Sequence, residues 1–201
     1  MSCYVSSNNN RFYVALESTY GNVPAITSQN RIPAVKLTAR QTPEQTSRRD
    51  KTGSRTFVGL QNTIRRRTAY QLNTFMTELD GTGTPSHGPL FQAAMGGTPL
   101  HFTGGTVSAT VGTTGVTFPA AHGLVAGQAV TNSGEMRFVA GVQDATTVFL
   151  NAPFSAGLSV GASIGATVSY PLANGLGSVS LFDFWDPSDA VQRILNGAAV
   201  D

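Results

Sequence analysis

Charge is what this sequence has least of. Asp, Glu, Lys and Arg supply 12% of its 201 residues, about half the share of an ordinary soluble domain. A monomer normally keeps more charge on its surface, so this much bare surface points to coverage by neighbouring subunits. Cysteine is nearly absent as well. Cys3 stands alone, which excludes an intrachain disulfide. No apolar run approaches the roughly 18 residues of a membrane helix, and no signal-peptide pattern opens the chain. None of the eleven Asn begins an N-x-[ST] sequon. These absences lead us to expect synthesis in a bacterial-type cytosol without secretion, and no membrane partner.

Catalytic and ligand-binding patterns are missing too. There is no phosphate loop with its Lys-[ST] and no G-x-G-x-x-G between a strand and a helix; Gly96-Gly97 and Gly104-Gly105 read as turn punctuation. No nucleophile elbow supports a Ser-His-Asp reading. His87, His101 and His122 lack Cys or carboxylate partners at ligand spacing and read as ordinary loop residues. Asp183, Asp186 and Asp189 are spaced i, i+3, i+6, but Asp186 is better used as a helix cap than as a metal ligand. The reading is therefore of a protein that is not an enzyme and that has no metal or cofactor.

What charge there is has been sorted along the chain. Residues 11–67 carry eleven Lys/Arg against Glu17, Glu44 and Asp50, while residues 68–201 carry Arg137 and Arg193 against eight acids. Complementary patches steer and register association, so this layout suits a building block that joins head to tail. Arg48, Arg49, Lys51 and Arg55, with the triplet Arg65, Arg66 and Arg67, form the basic clusters. A charge run is most often simply solvated. An intersubunit salt-bridge patch ranks next, and sequence-specific nucleic-acid reading last, because aromatic interleaving and a recognition-helix pattern are missing.

Hydrophobic periodicity predicts a mainly β chain. Phe12, Val14 and Leu16 alternate over 11–17, and Val35, Leu37 and Ala39 alternate over 34–40 opposite Lys36 and Arg40. Residues 41–56 contain no apolar side chain and read as a loop. Thr68 to Leu79 reads as a long strand that changes face between Tyr70/Leu72 and Phe75/Leu79, which requires a bulge or burial of different faces at its two ends. Pro89 to Gly97 predicts a short helix with a glycine stop. From 102 to 170 Lys is absent and Gly, Thr, Val and Ala dominate. Strands are predicted there at 106–111, 128–131, 135–142, 147–150 and 163–170, the cadence of a small all-β barrel or sandwich. A strand at 178–184 follows. The last predicted element is a helix capped by Asp186, with Pro187 in its first turn, a stripe of Val191, Ile194 and Leu195, and a stop at Gly197.

The stretches RFYVALESTYGNVP (11–24), RRDKTGSR (48–55), RRRTAYQLNTFMTEL (65–79) and PLFQAAMGG (89–97) together resemble the N-terminal half of tailed-bacteriophage tail tube proteins. The shared pattern is a strand, an acidic-Thr-Tyr-Gly turn, a basic-Asp-x-x-Gly loop, a long strand, and a short helix ending in Ala-x-Gly-Gly. Residues 121–155, with His122-Gly123-Leu124 and Gly127-Gln128-Ala129-Val130, resemble small β-modules of phage structural and tail proteins. The resemblance implies a β-sandwich or barrel with a flanking helix, formed by residues 1–101 and 171–201, with an inserted small all-β domain at 102–170. It further implies hexameric rings whose inner hairpins join into a barrel around a channel for double-stranded DNA, stacked into a tube with other tail proteins in the virion and assembled in the host cytoplasm. The basic clusters at 48–55 and 65–67 would then be intersubunit contacts, with neutral or acidic groups facing the channel and no sequence-specific DNA binding. A head-tail connector or tail-terminator ring, and a tail adhesin using 102–170, are the alternative roles.

Overall fold

The computed structural model describes residues 9–44, 65–77, 83–185 and 192–201, and those residues are mainly β with antiparallel sheets. In chain order the strands are β1 (Arg11–Leu16), β2 (Arg31–Ile32), β3 (Ala34–Glu44), β4 (Arg65–Thr74), β5 (Leu100–Phe102), β6 (Gly105–Thr106), β7 (Ala109–Val111), β8 (Gly115–Thr117), β9 (Ala129–Asn132), β10 (Glu135–Val142), β11 (Thr147–Leu150), β12 (Ser163–Ile164), β13 (Thr167–Ser169), β14 (Val179–Phe184) and β15 (Gln192–Ala198). The single α-helix among the described residues, α1 (Gly88–Met95), falls between β4 and β5. Contacts divide the chain into a smaller unit, residues 33–75, and a larger unit formed by the rest.

A four-stranded sheet in the order β15-β14-β1-β2 organises one part of the larger unit. Its central strand β14 reads VSLFDF, and all six residues are buried. The alternation of a strand puts Val179, Leu181 and Asp183 on one face with their partners Leu16, Val14 and Phe12. Phe182 and Phe184 lie on the other face, clustered with Ala15 and flanked by Tyr13 and Ile26. Helix α1 packs on β1 and β14. It starts with Pro89 in its first turn and stops at Gly96, whose φ of +80 is the left-handed conformation that glycine adopts without strain. The helix buries Ala93 rather than the Leu90 and Phe91 rows, and Phe91 is exposed.

One expectation about these elements needs correction. Residues 192–198 form strand β15, not the second half of a helix. Their register with β14 runs from Gln192 opposite Phe184 to Ala198 opposite Val179. A buried central strand has hydrogen-bonding groups on both edges, and β15 supplies the partners on the edge that β1 does not occupy. That requirement outweighs a three-residue helical stripe. The capping role of Asp186 and the residues Pro187 and Val191 lie outside the described residues. Asp183 lies in a strand as expected; it is buried in β14 and accepts from the Arg193 guanidinium at 2.7 Å.

Residues 102–170 form a five-stranded antiparallel sheet in the order β7-β8-β11-β10-β9, with the pair β6-β12 beside it. Their buried cluster runs from Phe102 and Val107 through Val116, Phe118, Leu124, Val130, Val139, Val148, Leu150 and Phe154 to Ile164. No described residue outside 102–164 belongs to that cluster. The chain enters and leaves through the paired strands β5 and β13, with Phe102 opposite Thr167 and Leu100 opposite Ser169. The predicted strand at 106–111 is split into β6 and β7, and that at 163–170 into β12 and β13, while β8 was not anticipated. His122 is more than a loop residue. Its Nδ1 accepts the Leu124 N–H at 2.8 Å, and its Nε2 lies 3.1 Å from the Asp144 carbonyl oxygen, so the ring proton belongs on Nε2. The imidazole thereby closes the His-Gly-Leu turn.

Leu181 is 1% exposed at the centre of the four-stranded sheet. We expect Leu181→Ala to lower unfolding stability by about 2–5 kcal/mol in urea titration.

Candidate functional site

The described residues of the smaller unit form one long antiparallel strand pair, and the unit holds the densest charge in the sequence. Within residues 33–75, nine Lys/Arg face Glu44 and Asp50, a net +7; the larger unit carries four Lys/Arg against nine acids, a net −5. The segregation seen along the sequence is therefore a segregation between structural units.

Strands β3 and β4 pair antiparallel from Lys36 opposite Asn73 to Glu44 opposite Arg65. The ladder spans about 30 Å at 3.4 Å per residue. It reaches past Arg40, so residues 41–44, read as loop, are strand; their backbone groups find partners in residues 65–68. Val35 is a bulge and 65% exposed, which removes it from the face shared by Leu37 and Ala39. The change of face expected in β4 does not occur within the strand. β4 ends at Thr74, and Phe75, 64% exposed, donates its N–H to the Pro33 carbonyl at 3.4 Å. Leu79 lies outside the described residues.

From Lys36 onward the register sorts the hairpin into two unlike faces. One carries Leu37, Ala39, Tyr70 and Leu72, with Leu37 buried and the others half-buried. The other carries Lys36, Thr38, Arg40 and Thr42 from β3, with Arg67, Ala69, Gln71 and Asn73 from β4, and all eight are exposed. Of the residues singled out from sequence, Arg65, Arg66 and Arg67 open β4 opposite Glu44, Pro43 and Thr42, and Arg67 is exposed. Arg48, Arg49, Lys51 and Arg55 lie outside the described residues. Among the described residues β3 and β4 pair only with each other, so each strand presents a free edge. An isolated two-stranded hairpin is marginal in water, and a long free edge is a template for another chain.

Sequence reasoning missed Glu17. This residue begins the Glu-Ser-Thr-Tyr-Gly turn, and its carboxylate sits in a cradle of four donors. Oε2 accepts the Gly21 N–H at 2.6 Å and the Ser178 hydroxyl at 2.7 Å; Oε1 accepts the Ser180 hydroxyl at 2.6 Å and the Gly197 N–H at 2.7 Å. One side chain thus ties the turn after β1 to β14 and β15. Burial raises its pKa, but the hydrogen bonds from Ser180, Gly197, Ser178 and Gly21 outweigh burial and hold it at about 2. The turn signal was visible in the sequence; its partners, more than 150 residues away, were not.

Two open clefts among the described residues of the larger unit are large enough to hold a small molecule. One, of about 580 Å³, is lined by Thr131, Asn132, Ser133 and Ser163 with small neighbours, and no ionisable side chain lines it. The other, of about 320 Å³, is walled by Met76, Pro85, Phe91, Val168 and Tyr170 around His87. His87 is buried, accepts the Thr77 N–H at 3.5 Å, and has its pKa pushed down by that burial. Neither cleft brings together a nucleophile and a base within hydrogen-bond reach. No family profile, curated protein or solved structure matches this chain.

Glu17 would titrate near 4.5 in the unfolded chain and near 2 in the fold. Its contribution to stability is fully present above about pH 4.5 and is lost as pH falls toward 2. Glu17→Gln keeps the shape but loses the charge that four donors satisfy. We expect the variant to be less stable than the parent at pH 7, and the difference to shrink between pH 4.5 and 2, read from urea midpoints across that range.

Proposed function

We propose that this chain is a non-enzymatic structural subunit of a bacteriophage tail tube, which assembles with copies of itself into rings, and with the rings stacked, into a passage for DNA. The observation that carries this reading is the strand pair β3–β4, which pairs with no other strand among the described residues, in a unit of net charge +7 against a counterpart unit at −5. Such an element is completed by neighbours. Edge pairing with adjacent copies satisfies the open backbone groups and removes the aggregation hazard of a free edge. The opposite net charges of the two units favour an ordered contact between copies over a random one. The resemblance of residues 11–24, 48–55, 65–79 and 89–97 to tail tube proteins supports the same role and supplies the ring geometry.

In this reading Arg48, Arg49, Lys51 and Arg55, with Arg65, Arg66 and Arg67, meet the acidic surface of the adjacent ring. Each exposed ion pair contributes only about 0–1 kcal/mol, but the contact repeats around every ring. Residues 102–170 are an inserted module on the outside of the tube. The separate buried cluster and the paired strands β5 and β13 support that division, because insertions are tolerated where the ends lie side by side. The rest of the chain, 1–101 and 171–201, is the tube wall.

Negative-stain micrographs of the purified protein should contain rings or tubes, and a monodisperse monomer at high concentration over a range of salt would refute the proposal. A ring that never polymerises would move the assignment to a connector or terminator. Arg48→Glu with Arg49→Glu should shorten or abolish tubes while the far-ultraviolet circular dichroism of the subunit is unchanged. Replacing residues 103–170 by a short Gly/Ser linker should give thinner tubes with the same channel; a wider channel would place the module in the wall.

A further inference from the structure

We propose that Asn174 is a site of spontaneous covalent modification, converting to aspartate and isoaspartate through a succinimide formed with the Gly175 nitrogen, while the fold holds a second Asn-Gly pair, Asn196-Gly197, inert. Asn-Gly is the dipeptide most open to this reaction. Glycine puts no Cβ beside the attacking nitrogen and leaves the backbone free to turn. The sequence contains two such pairs, and the fold treats them differently.

Asn174 and Gly175 form an exposed bend between β13 and β14. Among the described residues, neither the Asn174 side chain nor the Gly175 N–H makes a hydrogen bond. The loop is anchored on either side of the pair rather than at it. The Ala173 N–H donates to the Met95 carbonyl at 2.9 Å, and the Ser178 carbonyl accepts the Glu17 N–H at 2.9 Å. Asn196-Gly197 has the same sequence and none of that freedom. It lies in β15, where the two residues together oppose Ser180 as a bulge. The Gly197 N–H donates to Glu17 Oε1 at 2.7 Å, and the Asn196 amide nitrogen donates to the Gly21 carbonyl at 2.7 Å. Both reacting groups are thus tied to other partners. Attack would also build negative charge on the Gly197 nitrogen beside the Glu17 carboxylate, which opposes it. With its pKa at about 2, that carboxylate is too weak a base to take the proton of an amide.

Water and hydroxide supply everything the reaction needs. Hydroxide takes the Gly175 amide proton, and the nitrogen bonds to Cγ of Asn174 as the Cγ–Nδ2 bond breaks. The side-chain nitrogen leaves as ammonia, taking a proton from water. Water then opens the ring. Breaking the new bond to Cγ gives aspartate, and breaking the bond to the backbone carbonyl carbon of Asn174 gives isoaspartate. Either product adds a carboxylate to the larger unit, which then carries ten acids against four Lys/Arg, a net −6 in place of −5. Isoaspartate also lengthens the main chain by one methylene, where the Gly175 carbonyl packs against Gly96 at the end of α1. None of this depends on the tail-tube reading.

The test incubates the full chain at mildly alkaline pH, in buffer and in parallel in concentrated guanidinium chloride. Samples taken over days are digested, and peptide mass spectrometry places the amide-to-acid mass change on a residue; chromatography separates isoaspartyl from aspartyl peptides. In buffer Asn174 should convert progressively and Asn196 should stay an amide. In denaturant both should convert, at similar rates. Conversion of Asn174 should speed up as pH rises, because the nucleophile is the deprotonated nitrogen. Gly175→Ala, whose added methyl meets open space, should keep the native circular dichroism. It should slow conversion in buffer about tenfold or more, a barrier increase of about 1.4 kcal/mol or more. An Asn174 that stays an amide in buffer would overturn the proposal. So would an Asn196 that converts in buffer as fast as Asn174, or a Gly175→Ala variant that converts at the parent rate.

Discussion

Strand β14 is buried on both faces and along its whole length, so its hydrogen-bonding groups on both edges must be met by other strands. Residues 11–16 meet one edge and residues 192–198 the other, which brings segments from near both ends of the described chain into one sheet. The partners follow from that demand. Phe12 and Val14 are drawn under the sheet on one face, Ala15 with Phe182 and Phe184 on the other, and Ile32 is buried on β2 beside them. Two polar side chains caught in this arrangement find partners: Asp183 meets Arg193 through Oδ2, and the Ser180 hydroxyl donates to Glu17.

Glu17 shows how a half-buried carboxylate is held charged. Two hydroxyls and two amides point at its two oxygens, and their combined effect exceeds the penalty of burial. The carboxylate thereby serves as a clasp between β1, β14 and β15 rather than as a titrating group near neutrality. Gly96 solves a different local problem at the end of α1. A Cβ there would collide with the Gly175 carbonyl, and the left-handed backbone lets the chain turn away from the helix.

The hairpin is built on the opposite terms. Among the described residues its ladder is long but only two strands wide and one of its faces is exposed from Lys36 to Thr42 and from Arg67 to Asn73, and its net charge is strongly positive. Such a unit gains little from its own packing, and self-repulsion among its cations works against it. In the proposed assembly, edge pairing and the acidic surface of neighbouring copies would relieve both deficits. The larger unit has a settled core in both its sheets and a surplus of acids. One chain thus combines a folded body with an extended element whose stability depends on what it meets, which is the physical basis for reading it as a subunit rather than as an independent machine.

The sequence by itself determined the class of the fold, the charge segregation and the local elements with strong short-range signals. Strands 135–142 and 147–150 were legible from alternation and turn residues, and α1 from its Pro start and Gly stop. It also exposed the cations of the hairpin, though not that Lys36, Arg40 and Arg67 share one face, because that depends on the register of β3 against β4 and on the bulge at Val35. Only tertiary structure decided that 192–198 is a strand, that β3 continues to Glu44, and that Glu17 is a clasp. In each case the deciding partner is distant in sequence: β14 for the first, residues 65–68 for the second, Ser178, Ser180 and Gly197 for the third. Local preference amounts to tenths of a kcal/mol per residue. A missing ladder or a half-buried carboxylate left without its donors costs several times more, so the long-range partner prevails.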